Sequence, residues 1–425
     1  MSLMNERSTR IPALCILLLF MLAVPAPRSF AEEPHPLNDS VQELMRRGEY
    51  EKALEQLKQT FNLFPYDEST RRNLAAVYVA IGRRQLDRKE FDEAAKSFDD
   101  ARKLVPENRD YPILRGIALY SGKRYDEAAI VLEQELRNGG ENVPLFYYLG
   151  CVYYYTGDLA KALEVWEKVL AIEPENKAVR QMISKARRES AVESRMKNEY
   201  GSIFVISYDE GTKSDLADAV RDVLETAYNR VGSDLSHFPV VRIPVILYTR
   251  KDYRIVTAGP AWSGGLYDGK VRLPIGGATE ITPALRAVLF HEYTHVLVAE
   301  LTKGNCPVWL TEGLAEFEGR KEYDPPTTEL EKAAKTGGFL PFNTIEKSLS
   351  SLAASDAALA YQQSWSMVDF MISAYGLHKV RELLVNLGGG IGINAAIAAT
   401  FADYGLDYQA IMDEWKAAMR KKYGK

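Results

Sequence analysis

Two of the five histidines in the chain stand four residues apart around a glutamate, in His291-Glu292-Tyr293-Thr294-His295. On a helix, four residues turn through about 400°, so both imidazoles leave from one face and can share one ion. Glu292, one step round from His291, reaches a water held beside them without being a ligand itself. Zinc suits two neutral imidazoles, and it lowers the pKa of a bound water toward neutrality, where a carboxylate can take the proton as the water attacks a carbonyl. With so few histidines, a chance occurrence of this pattern has odds of roughly one in two hundred. A tetrahedral site with one open position needs a third protein ligand. Sixteen residues, 296 to 311, separate His295 from Glu312 in the run Val308-Trp309-Leu310-Thr311-Glu312-Gly313-Leu314-Ala315-Glu316. That is enough to finish one helix, reverse near Gly304 and bring a second helix alongside, which makes Glu312 the third ligand. Glu316, four residues further on and on the same face, is expected to accept a hydrogen bond from the free N–H of a ligand histidine.

These residues need two helices to hold them. Thr282-Pro283 is a cap and first-turn pair opening a helix that runs to about residue 301, with the pentapeptide in its middle. A second helix follows Pro307. Ahead of them, 202–208, 241–248 and 266–273 read as strands, 214–231 has helical periodicity, and 259–265 is a glycine-rich loop. Further helices are expected at 358–375, 378–387 and 407–423. The second half, 200–425, is therefore an α+β domain with a small sheet in front and helices behind.

At the pentapeptide and Glu312 the sequence resembles the gluzincin clan of zinc metallopeptidases, in which His-Glu-x-x-His is followed by a ligand glutamate on the next helix. The Trp-Leu-x-Glu-Gly-Leu-Ala context is similar to the peptidase-MA-like domain family of exported bacterial proteins, some of which carry tetratricopeptide repeats. The likeness covers about 202–423. It implies Zn2+ held by His291, His295 and Glu312, Glu292 as general base, and a peptide or protein substrate. It also implies a downstream donor to the tetrahedral oxyanion. The run Ala360-Tyr361-Gln362-Gln363-Ser364-Trp365 resembles the family's helix after the metal site and makes Tyr361 the candidate, with His378 as the alternative. By the same likeness, 266–273 is the edge strand along which an extended substrate lies.

The first half repeats. Gly48-Glu49-Tyr50-Glu51-Lys52-Ala53 recurs in altered form around Phe91, Tyr125 and Leu159, in steps of 41, 34 and 34 residues. A 34-residue helix-turn-helix unit resembles the tetratricopeptide repeat. Gly150 and Ala162 are small where two helices approach, Trp166 fills the groove beyond, and Pro65, Pro106 and Pro174 stop the second helix of their units. The long first step implies two extra helical turns near 83–88. Four units capped by a helix at 177–191 make a stable all-α solenoid over 34–192, whose concave face suits a protein partner. Tyr147, Tyr148, Tyr153, Tyr154 and Tyr155 are candidates for that groove, although packing within the repeat accounts for most of them.

The N-terminus has its own pattern: Arg7 and Arg10 precede the apolar run 11–24, and Ser29-Phe30-Ala31 is a small-x-small site. Residues 1–31 read as a signal peptide, so the chain is expected to be exported, periplasmic or secreted. Fourteen apolar residues are short of the roughly 20 that span a bilayer, so membrane association is expected only if the segment stays uncleaved. A net charge of −5 without a basic patch argues against nucleic acid. Cys151 and Cys306 lack metal-binding spacing. Gly390-Ile391-Gly392-Ile393-Asn394-Ala395 matches a dinucleotide fingerprint only formally, because it follows a helical pattern and not a strand. Arg420, Lys421 and Lys422 suit a helix C-terminus. The chain thus reads as multidomain, a tetratricopeptide-repeat solenoid followed by a zincin-like metallopeptidase domain; the alternative is an interaction scaffold whose zinc domain has lost turnover.

Overall fold

This computed structural model describes residues 39–209, 211, 214–257, 265–276, 278–349 and 352–424. The expected signal peptide and all but the last residue of the glycine-rich loop lie outside them. The chain divides into two compact units between Ser194 and Arg195.

Among the described residues the first unit is helical throughout: α1 (Asp39–Arg46), α2 (Tyr50–Leu63), α3 (Glu68–Asp87), α4 (Phe91–Leu104), α5 (Asp110–Ser121), α6 (Tyr125–Arg137), α7 (Val143–Thr156), α8 (Leu159–Ile172) and α9 (Lys177–Glu193). The recurring aromatic or leucine opens α2, α4, α6 and α8. Two residues before each stands one in the left-handed region: Gly48, Lys89, Lys123 and Gly157, with φ of 71°, 59°, 61° and 90°. Every tight turn of the array therefore uses the same backbone device, twice with glycine and twice with a lysine that bears a steric cost. α2, α4 and α8 each end two residues before a proline. Asp67, Asn142, Asp158 and Asn176 cap α3, α7, α8 and α9 by accepting from the backbone N–H of Thr70, Leu145, Lys161 and Val179.

Between paired helices one contact recurs. Gly82, Gly116 and Gly150 stand 34 residues apart, and each receives the large side chain sixteen residues on: Phe98, Leu132 and Trp166. A Cβ at any of the three would come within 3 Å of that partner. Because Gly82, Lys89 and Phe91 keep the spacing of Gly116, Lys123 and Tyr125, the extra turns of the long first step do not lie near 83–88. They lengthen the start of α3, which has 20 residues against 12 in α5 and 14 in α7. Of the five tyrosines, Tyr153 and Tyr154 are buried, with hydroxyls donating to Glu133 Oε1 at 2.9 Å and Glu189 Oε1 at 2.7 Å. Tyr155 stacks on Tyr125 with ring centroids 5.0 Å apart.

The second unit contains β1 (Lys197–Tyr200), β2 (Phe204–Tyr208), α10 (Ser214–Leu235), β3 (Ile243–Thr249), α11 (Arg250–Thr257), β4 (Leu266–Tyr267), β5 (Val271–Gly276), α12 (Pro283–Leu301), α13 (Val308–Arg320), α14 (Thr328–Thr336), α15 (Ala354–Tyr375), α16 (Leu377–Gly388), α17 (Ile393–Thr400) and α18 (Tyr408–Tyr423). The strands lie in the order β1-β2-β3-β5-β4; β2, β3 and β5 are parallel, and β1 and β4 pair antiparallel at the two edges. The expected single strand over 266–273 is instead a hairpin. Asp268-Gly269 turns the chain, Gly269 at φ 96°, so of the two hairpin strands β4 is the edge and β5 is interior. Val271, Leu273 and Ile275 of β5 join one core with α10 and α12. The glycine-rich run after residue 388 connects α16 to α17, with Gly390 at φ 89°. Cys151 and Cys306 are free thiols. No helix among the described residues is long and apolar enough to cross a membrane.

Candidate metal centre and active site

The site is built on α12 and α13. Thr282 accepts from the Leu285 N–H to start α12, and Pro283 fills the first turn. Leu289, Phe290, Tyr293, Val296, Leu297 and Val298 then bury that helix among its neighbours, which fixes the face carrying His291 and His295. Lys303 and Gly304, with φ of 50° and 75°, reverse the chain. α13 lies close against α12 because Gly319 leaves no room for a Cβ beside the Ala287 carbonyl, only 2.9 Å from where that atom would be. Gly313 does the same for α15, whose Ser364 backbone would collide with any side chain there.

Glu312 is thereby brought to the two histidines. His291 Nε2 and His295 Nε2 are 3.2 Å apart, and Glu312 Oε2 lies 3.3 Å from the first and 3.5 Å from the second. A tetrahedral zinc ion with donors at about 2.0–2.1 Å separates those donors from one another by about 3.3–3.4 Å. The three atoms therefore form a triangle of the size of one tetrahedral face, and the donor set fits zinc. Glu312 Oε2 is buried without a hydrogen-bond partner among the described residues although both imidazoles are so close, which fits lone pairs aimed at a common centre and not at each other.

The outer ring nitrogens are also held. His291 Nδ1 faces Glu316 Oε1 at 3.4 Å, the place the spacing gives Glu316, and His295 Nδ1 lies 3.0 Å from Thr311 Oγ1. Thr311 carries no spacing signal in the sequence; adjacency to Glu312 at the start of α13 is the one clue. Glu292 is 5% exposed, and its Oε2 has no hydrogen-bond partner among the described residues. Gly265, just before β4, lies so close that a Cβ there would stand 2.6 Å from the Glu292 carboxyl carbon. Tyr361 sits two turns inside α15, which starts four residues earlier than its sequence pattern implies, and its ring lies 6.3 Å from that of His291. His378 is exposed in the first turn of α16.

Charge and burial oppose one another at Glu292, His291 and Glu312 and act together at Tyr361. Burial pushes the Glu292 carboxyl above its ordinary pKa, and the charges of His291 and His295 only partly counter it. For His291, burial disfavours the imidazolium, yet the carboxylates of Glu312 and Glu316 outweigh it and raise the pKa well above the usual value. Burial likewise acts against ionised Glu312, but His295 and His291 hold it well below the ordinary carboxylate range. Tyr361 is raised well above a normal phenol by burial and then by the Glu312, Glu292 and Glu316 carboxylates.

Comparison with known proteins bears on this geometry. The family described as the Peptidase MA superfamily matches residues 243–421, and tetratricopeptide-repeat families match 79–143 and 143–176. The chain carries a Peptidase MA superfamily domain behind tetratricopeptide repeats. That domain contains the whole His291, His295 and Glu312 cluster, and the repeat matches fall within the N-terminal helical array. Over 105 residues, 25% of this chain, it is 31% identical to the Hsp70-Hsp90 organizing protein of Triticum aestivum, and it spans 18% of that relative's length. The crystal structure of MamA is 21% identical, with 37% of this chain and 88% of that chain covered at a TM-score of 0.31. A thermophilic TPR protein in Thermus thermophilus is 23% identical, with 35% and 77% covered at a TM-score of 0.25.

Proposed function

We propose that the protein is an exported, zinc-dependent peptidase of gluzincin type that hydrolyses peptide bonds, with the repeat array recruiting a protein partner or substrate. The observation that carries this reading is the donor triangle of His291, His295 and Glu312 standing beside a buried glutamate, Glu292, one of whose oxygens has no partner among the described residues. His291, His295 and Glu312 would hold the ion. A zinc ion there supplies Lewis acidity, which acidifies water and polarises a carbonyl oxygen. Glu316 and Thr311 keep both Nε2 atoms turned inward by engaging the opposite ring nitrogens.

Glu292 accepts the proton of the attacking water, a role favoured by burial that makes its carboxylate a stronger base than an exposed one. The same carboxyl then returns the proton to the departing amine. Tyr361 donates its hydroxyl hydrogen to the oxyanion that develops on the substrate carbonyl; its raised pKa keeps that hydrogen in place at neutral pH. β4, the short edge of the sheet packed on α12, is assigned to the extended substrate backbone.

The test is metal analysis of the purified chain together with cleavage of an unfolded protein by wild type and Glu292→Gln. The reading expects about one zinc per chain in both forms and cleavage by wild type alone. Zinc without cleavage in the wild type would leave an interaction scaffold, and a wild type that binds no zinc would overturn the metal site. N-terminal sequencing of the natural protein checks export: a chain beginning at Glu32 is expected, and one retaining residues 1–31 would contradict cleavage.

A further inference from the structure

Arg320 closes the last turn of α13, four residues after Glu316 and eight after Glu312, so all three lie along one stripe of the helix. An arginine and glutamate spaced this way on a helix surface contribute only a few tenths of a kcal/mol and need no burial. This arginine is different, for its side chain is 6% exposed. Its Nε donates to Glu316 Oε2 at 3.3 Å, while Nη1 donates to Asp324 Oδ1 at 2.6 Å and to the Pro325 carbonyl at 2.9 Å. Its guanidinium carbon lies 4.3 Å from the centre of the Trp365 ring. Trp365 stands one turn after Tyr361 on α15, so one face of that helix meets His291 through Tyr361 and Arg320 through Trp365.

The two oxygens of Glu316 are thus divided between two duties: Oε2 is fixed by Arg320, and Oε1 faces His291 Nδ1 at 3.4 Å. Glu316 is itself 22% exposed and has room to turn toward water if its second oxygen is released. We propose that Arg320 is a positioning residue for the metal centre, acting through Glu316 to hold the His291 ring in its ligating orientation; this rests on the zinc reading above. A lysine cannot replace it. Only a planar fork can hold a carboxylate along one edge, a second acceptor along another, and an aromatic ring against its face.

Zinc affinity of the full chain, measured by competition with a chromogenic chelator, tests this in wild type, Arg320→Met, Arg320→Lys, Glu316→Gln and the Glu316→Gln, Arg320→Met double variant. Outer partners of metal ligands contribute about 10–100-fold in affinity, so both Arg320 variants are expected to lose about tenfold. In the Glu316→Gln background the Arg320 change is expected to add nothing, because its route to His291 is already cut. Arg320→Lys, which keeps the charge and most of the packing, carries the comparison if Arg320→Met does not fold. Undiminished affinity in the lysine variant overturns the proposal, as does the same tenfold loss in the presence and absence of Glu316, which would mean that Arg320 acts through the general fold. A wild type that binds no zinc overturns the metal site itself and is a distinct result.

Discussion

α7 and α12 are built alike. Each begins with a polar cap and a proline in the first turn, Asn142 with Pro144 and Thr282 with Pro283, and each is apolar around most of its circumference and buried by its neighbours. Their polar atoms differ. On α7 the hydroxyls of Tyr153 and Tyr154 donate to Glu133 and Glu189, and Trp166 Nε1 from α8 donates to the Tyr147 carbonyl at 3.1 Å. On α12 Glu292 keeps a buried oxygen without a partner among the described residues, and His291 and His295 turn their Nε2 atoms toward each other and toward Glu312. A helix buried on all sides serves packing when its polar groups are satisfied by the protein, and is set up for chemistry when they remain open to something else.

Substitutions can break that contrast. The largest effect on activity is expected from Glu292→Gln, which should lower kcat by about 10²–10⁴-fold, the usual contribution of a general base, while zinc content and melting stay near wild type. In the other helix pair, Trp166→Ala should cost about 3–5 kcal/mol of stability for a buried aromatic; urea unfolding followed by circular dichroism would show it, with zinc binding unaltered. Tyr361→Phe is expected to lower kcat by about 10²-fold with little change in KM, as for loss of one oxyanion donor. An unchanged kcat would return Tyr361 to packing. Thr311→Val, which keeps the shape but removes the hydroxyl from His295 Nδ1, should weaken zinc affinity by about tenfold in chelator competition. The smallest effect belongs to the array: Lys123→Gly relieves a left-handed φ of 61° and should stabilise it by about 1 kcal/mol, read from the urea midpoint.

The sequence makes some of this architecture legible and hides the rest for physical reasons. Local, repeated solutions are visible: the 34-residue step exposes the helix pairs because Gly82, Gly116 and Gly150 solve one packing problem three times. The cluster of His291, His295 and Glu312 is visible too, since the two histidines share a helix face and Glu312 needs only one reversal to reach them. Arg320, Thr311 and Gly265 are not, because their partners are set by how α12, α13, α15 and the entry to β4 pack together, which no spacing encodes. β1, with its polar sequence Lys197-Asn198-Glu199-Tyr200, has no apolar alternation and exists by pairing with β2. α11 and α14 are short and take their stability from tertiary contact. The hairpin of β4 and β5 is hidden by a turn placed inside an otherwise strand-like run.

The lengthened α3 constrains how this array can change. Seven added residues rotate a helix by about 700°, some 20° short of two whole turns. They enter the helix before Gly82, so the sixteen-residue spacing from Gly82 to Phe98 and the downstream units are untouched, and only the packing of the helix start against α2 depends on their number. An insertion of five residues would leave the start of α3 about 140° out of phase with the rest of the helix, turning the face it offers α2 away from that neighbour. Helices of this array can grow by whole turns without disturbing their neighbours, and by little else.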